Sequence, residues 1–494
     1  MFSISGTKKT LCDGLTRRDF MQVGGIGAFG LSLAGTANLS AATLGSAFGK
    51  AKSCILLFPY GSPSSHETFD PKPEMPDVQG EMKAMATNVP GLHICDRLPQ
   101  IAKVMDKVTV VRSMTHPYPV HGLAYAVTGL PTYTPALETR ARDKQHWPFI
   151  GSVVDYLERR HGNAPADSIP NNIGLPWLVN SQTDNPAVNA GPFAAFLGAE
   201  YDPLWTDFDG KGLHVAPKNT VAQTKRFRNP FGGTTPNGRF RLSPAAELPG
   251  DISLERLRLR QSLLAQFDRQ REQLDRNPDV HSWNRQQQLA MSLLTSNKLR
   301  DAMDIGREPR RLREQYGMNL FGQGCLAARR LIEAGGKFVS VFWDCYGQFA
   351  NGSWDTHQYH YPRMKELLLP GFDLAYPTLL NDLEQRGLLD ETLVIWMSEH
   401  GRTPKINSKP GAGREHWSRA YCVALAGGGI ARGKVVGQTT RDGGEVLDNP
   451  VSPKDILATA FYLLGIDPST TVPDQEGRPH SIAGSGELRP ELIG

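Results

Sequence analysis

The sequence predicts an α/β protein built on a doubly wound, mostly parallel sheet. Short apolar, β-prone runs recur at residues 53–58, 108–111, 338–342, 393–397 and 421–426. Helical patterns separate the last four of these runs, which is the rhythm of strand, crossover and strand. The chain has 494 residues, 39% hydrophobic and 21% charged, enough to bury a large core in one domain with insertions.

Residues 1–42 read as an export signal. Arg17-Arg18 precedes a Gly-rich, mildly apolar run from Val23 to Ala34, followed by small residues through Ala42. This is the order of a twin-arginine (Tat) leader. The Tat machinery is therefore an expected partner, with the mature chain periplasmic or extracellular. Past this segment no stretch approaches the roughly 20 apolar residues of a membrane span, so no transmembrane anchor is expected in the mature form. The formal charge of +4 includes a surplus of two positive charges in residues 1–42, and nothing in the balance demands a nucleic-acid partner. The six cysteines show no metal-ligand spacing; one or two disulfides stay open for an exported chain.

Residues 43–494 are expected to form one α/β domain with a loop-rich and helical insertion at about 160–317. Residues 160–250 are rich in Pro, Gly and Asn with little periodicity, whereas 253–317 turn helical and charged, with Leu254, Leu257, Leu264 and Phe267 on one face. Arg329-Arg330 is placed on the exposed side of the helix that leads into the 338–342 strand. Residues 364–386 predict the next crossover helix, broken near Pro370 and Pro377 and closed by Gly387. Ser452-Pro453 is the start signal of a last helix, with Ser as N-cap and Pro at the first turn. Gly427-Gly428-Gly429 lacks the GxxxxGK pattern of a phosphate loop and reads as a tight strand exit.

The chemistry-bearing residues gather between Trp354 and Trp417, in Trp354-Asp355-Thr356-His357, Ser398-Glu399-His400-Gly401-Arg402-Thr403-Pro404 and Gly413-Arg414-Glu415-His416-Trp417. Glu399 and His400 directly follow the 393–397 run, so they are expected at a strand's carboxyl end, where open α/β sheets bind ligands. Mixed carboxylate and imidazole donors suit a divalent metal such as zinc, manganese or iron, with calcium favoured by oxygen-rich sets.

Together with Gly61-Ser62-Pro63-Ser64-Ser65-His66-Glu67-Thr68-Phe69-Asp70-Pro71 and Ala426-Gly427-Gly428-Gly429, these clusters resemble the bacterial family called domain of unknown function 1501. The resemblance covers nearly the whole mature chain. It implies an alkaline phosphatase-like fold, of the sulfatase-like branch, with a divalent metal at the carboxyl edge of the sheet and sulfate or phosphate esters of small molecules or polysaccharides as substrates. It further implies Asp355, His357, Glu399, His400 and His416 as metal ligands. Where that superfamily ends its first strand in Asp, this chain has Tyr60-Gly61. Where the superfamily places a hydroxyl or modified cysteine nucleophile, this chain offers His121-Gly122, leaving His121, Ser64, Ser65 and Thr115 as candidates. His121, Ser65 and Arg402 are the expected catalytic residues, with Arg402 gripping an anion. Arg414, His66 and Glu67 are expected to touch substrate. The expected function is an exported metal-dependent ester hydrolase. A metal-binding scaffold without turnover, and a phosphomutase or phosphonate hydrolase, are the alternatives.

Overall fold

A computed structural model describes residues 45–138, 140–161, 169–242, 297–348 and 353–494. Nine strands form the central sheet: β1 (Ser53–Pro59), β2 (Val108–Met114), β3 (Asn172–Leu175), β4 (Leu204–Asp209), β5 (Arg239–Leu242), β6 (Phe338–Trp343), β7 (Thr392–Trp396), β8 (Tyr421–Ala426) and β9 (Lys434–Val436). Their order across the sheet is β9-β2-β8-β7-β1-β6-β3-β4-β5. Only β5 and β8 run against the rest. The sheet is therefore mixed and mostly parallel, as the alternating pattern predicted.

Period-two side-chain alternation divides the core between the two faces. Ile55, Leu57, Val339, Val341, Val394 and Trp396 face one apolar cluster, and Cys54, Leu56, Phe58, Phe338, Leu393 and Ile395 face the other. Five helices matter here: α1 (Leu123–Val127), α2 (Ile150–His161), α3 (Leu320–Glu333), α4 (Leu369–Gln385) and α5 (Pro453–Leu463). The apolar faces of α3 and α4 belong to the first cluster, while α2 and α5 cover the second. Strands buried on both faces read as continuous hydrophobic runs, which is why β1, β6, β7 and β8 were visible in the sequence.

Helix boundaries follow their local signals. Ser452 caps α5 through its side chain and Asp455 returns the bond, a complete capping box. Gly387, with φ of 70°, closes the crossover helix. That crossover is not broken at its prolines. A π-helical turn at Met364–Leu368 runs straight into α4, with Pro370 in the first turn and Pro377 inside the helix. The π turn directly precedes Pro370, the residue that has no N–H to continue the ladder.

The stretch read as irregular supplies three of the nine strands, β3, β4 and β5, at one side of the sheet. They were hidden because they are short, and Gly174, Asp207, Asp209 and Arg241 interrupt any apolar alternation. The helical expectation over 253–296 lies outside the described residues, as does the leader at 1–42. Arg329 corrects a second expectation, since it is fully buried rather than exposed. It pairs with Glu308 and Asp382 at 2.8 and 2.9 Å, because a buried guanidinium needs oxygen acceptors on several sides. Cys54, Cys95, Cys325, Cys345 and Cys422 are all buried and free, so among the described residues no disulfide forms. No helix among them is long and apolar enough to cross a membrane.

Candidate metal centre

The parallel strands β1, β2, β6 and β7 all end on one edge of the sheet, and each feeds one piece of a single cluster. After β7 come Ser398, Glu399 and His400. After β2 comes His121, just ahead of α1. The chain leaving β6 returns with Asp355 and His357. His416 arrives on a two-residue antiparallel ladder, with Gly401 paired to Trp417 and Arg402 to His416. Gly61, at the end of β1, is where these pieces cross. Its φ is +100°, and a Cβ there would lie 2.4 Å from the Asp355 backbone nitrogen, so no side chain fits.

Two groups of donor atoms result. His121, Asp355, His357 and His416 each place one donor within 4.8 Å of the others, and His121, Glu399 and His400 do the same. Asp355 Oδ1 lies 3.0 Å from His357 Nε2 and 3.5 Å from both His416 Nε2 and His121 Nε2. The Nε2 atoms of His357 and His416 are 2.9 Å apart. His121 joins the groups, with Nδ1 2.7 Å from Glu399 Oε1.

The outer nitrogens show which way the rings are set. His400 Nδ1 donates to the Gly401 carbonyl at 2.7 Å and His416 Nδ1 to the Pro119 carbonyl at 3.2 Å. His357 Nδ1 donates to the Glu415 carboxylate. In each ring Nε2 is the nitrogen turned to the cluster interior. His400 Nε2 is buried with no hydrogen-bond partner, and the Nε2 atoms of His357 and His416 are close enough that a proton or a cation must lie between them. Nitrogens bound to one tetrahedral zinc at about 2.0–2.1 Å stand roughly 3.3 Å apart, close to the spacing here. The donor set therefore fits a divalent ion.

Electrostatics agree with that reading. Burial alone would raise Asp355, but Arg402 and the three imidazoles outweigh it and hold the carboxyl well below the usual carboxylate range. Glu399 is likewise lowered against its burial, chiefly by His121, with Ser398 Oγ donating at 2.6 Å and the Gly61 N–H at 2.9 Å. Burial pushes His121 down, yet Asp355 and Glu399 hold it up to about 9. Burial and the neighbouring cationic groups keep His400 well below its ordinary value. Outside the donor groups, burial lowers His66 and His116 to about 4. Both take up a proton near pH 6.5 when unfolded. These two histidines therefore lower folding stability as pH drops from about 6.5 to 4, together contributing up to about two protons to the slope. Urea unfolding at pH 7 and pH 5 checks this, and an unchanged midpoint would contradict it.

The expected substrate-facing residues are placed elsewhere. Arg402 is buried, and its guanidinium is spent on Gly61 O, Ser62 O at 3.0 Å, Arg414 O at 3.3 Å and Asp355 Oδ1 at 2.6 Å. It holds Asp355 and presents no free edge to an anion. Arg414 and Glu67 are both fully buried and paired at 2.6 Å, with His360 Nε2 3.2 Å from the other Glu67 oxygen. His66 Nε2 bonds the Asp442 carbonyl at 2.8 Å. Ser65 is buried, its hydroxyl beside the Cys422 thiol. These five residues brace the loop after β1, because burial leaves them only protein partners. Three residues that sequence reasoning left without a role do serve the cluster: Glu415, Arg363, whose Nη1 donates to the Asp355 carbonyl at 2.6 Å, and His116, bonded to the Glu399 carbonyl at 2.7 Å. Only Glu415 had a sequence signal, its place beside His416.

A family model described as protein of unknown function, DUF1501, matches residues 51–493. The chain belongs to this family. No curated protein matches it. Among solved structures, this DUF1501 protein is similar to the PsFucS1 sulfatase from Pseudoalteromonas sp., with 12% identity and a TM-score of 0.37 over 87% of this chain and 71% of that one. It is similar also to the phosphonate monoester hydrolase SpPMH from Silicibacter pomeroyi, with 11% identity and a TM-score of 0.34 over 89% and 75%. The lipoteichoic acid synthase LtaP from Listeria monocytogenes follows at 10% and 0.33 over 89% and 76%. The chemistry of the DUF1501 site rests on its own residues.

Proposed function

We propose that this protein is an exported metal-dependent hydrolase of sulfate or phosphate esters. The convergence of Asp355, His357 and His416 on one point, with Glu399 and His400 as further donors, carries the reading. A divalent ion held there supplies Lewis acidity and offsets charge building on the ester oxygens. Arg402 fixes Asp355, and Ser398 with the Gly61 N–H fixes Glu399. His121 lies between the two carboxylates with about a quarter of its side chain exposed, and it holds the proton that the leaving oxygen needs. The Tat-like leader supports export, and polysaccharide or small-molecule esters are the proposed substrates.

A second reading, a metal-binding protein without turnover, is favoured by one feature: Tyr60-Gly61 stands where the resembled superfamily has a carboxylate. Elemental analysis of the purified chain, paired with aryl sulfate and aryl phosphate assays before and after chelation, separates the two. The hydrolase reading expects bound divalent metal, and turnover that chelation abolishes and added metal restores. Metal without turnover on either ester selects the second reading, and a chain that takes up no metal sinks both.

A further inference from the structure

We infer that Glu415 is a positioning residue that sets the tautomer and orientation of the His357 ring, turning Nε2 toward Asp355 and His416. The inference deepens the metal-centre reading and rests on it for its consequence. An ionised carboxylate can only accept. Facing Glu415, His357 Nδ1 carries a proton, so the site that a cation can take over is Nε2, which is turned to Asp355 Oδ1 at 3.0 Å and His416 Nε2 at 2.9 Å. Carboxylate partners of this kind fix ring orientation and raise ligand basicity at metal-bound histidines.

The carboxylate is itself held in place. Lys409 Nζ and Asn407 Nδ2 donate to Glu415 Oε1 at 2.7 and 2.8 Å, which leaves Oε2 for the imidazole. The same Asn407 amide donates to the His357 carbonyl at 3.1 Å, so ring and backbone of His357 are gripped by one network. Gly413 closes the grip, since a Cβ there would lie 1.9 Å from the His357 carbonyl oxygen. His400 and His416 are anchored on main-chain carbonyls. Of the three imidazoles, His357 alone is set by a side chain, and so its setting alone can be removed by substitution.

The test uses histidine-selective nitrogen-15 NMR on the metal-free full chain, with the His357 signals identified by comparison with His357→Ala. The wild type is expected to show His357 protonated at Nδ1, Glu415→Ala a shift of the proton toward Nε2, which faces Asp355 Oδ1 at 3.0 Å, and Glu415→Gln a partial return, because its amide oxygen still accepts. Calorimetric titration with zinc alone is expected to weaken by about 10- to 100-fold in Glu415→Ala and less in Glu415→Gln. A Glu415→Ala chain that keeps the wild-type tautomer overturns the inference. A wild type that takes up no zinc overturns the metal-centre reading, while the tautomer measurement still decides the role of Glu415.

Discussion

Asp355→Asn is expected to lose most of the metal affinity, by more than the roughly 10- to 100-fold that the loss of an outer-shell partner costs. One carboxylate oxygen lies within 3.5 Å of His121, His357 and His416 and also receives Arg402 at 2.6 Å. The amide keeps the shape but removes the only formal negative charge in that group, so a cation must be held by neutral imidazoles beside a buried guanidinium. Ester turnover should fall with metal occupancy. The variant should also change His121, whose proton depends in part on Asp355. Zinc titration and aryl ester assays on the purified variant check both effects. Affinity within threefold of wild type would mean that Asp355 is a structural partner of Arg402 rather than a ligand.

Arg414→Met is expected to cost about 3–5 kcal/mol of folding stability, the usual result of removing one member of a buried ion pair. Arg414 and Glu67 have no solvent exposure at all. The guanidinium also donates to the carbonyls of Thr403 at 3.1 Å, Pro404 at 2.5 Å and Val78 at 2.6 Å, tying the β1 loop to the segment that carries His416. Burial alone would raise Glu67, but Arg414 and His360 hold its carboxyl far below the usual range. A depressed carboxyl contributes stability above its unfolded pKa, near 4.3, and that share is lost progressively as pH falls below this value. The double variant Glu67→Gln with Arg414→Met should recover part of the loss, because no charge is then left unpaired. Urea denaturation of both variants measures this, and a loss under 1 kcal/mol for Arg414→Met would show that water reaches the pair.

Much of the site's composition was legible before any coordinates. Glu399 and His400 follow a β-prone, apolar run that reads as a buried strand, so their place at its carboxyl end was expected from composition and polarity. Asp355, His357 and His416 were marked by clustering alone, and the structure brings them to one point. What could not be read was the setting of the arginines. Arg402 and Arg414 have the same local sequence signature whether they grip substrate or protein, and only the packing of the β1 loop over them separates the two. The strands β3, β4 and β5 were missed because short, polar-interrupted strands take their stability from neighbours already in the sheet rather than from their own pattern.

The sequence by itself determined the sheet type, the strands that lie at its centre and the residue types at its carboxyl edge, since these follow from alternation, length and chain order. Tertiary structure alone decided that His121 joins two donor groups, that each imidazole turns Nε2 inward, and that Arg329, Arg402 and Arg414 are buried. Those outcomes depend on contacts between residues tens to hundreds of positions apart, such as Arg402 with Gly61 and His121 with Glu399. Local periodicity says which face a side chain occupies, but not which distant oxygen waits there to meet it.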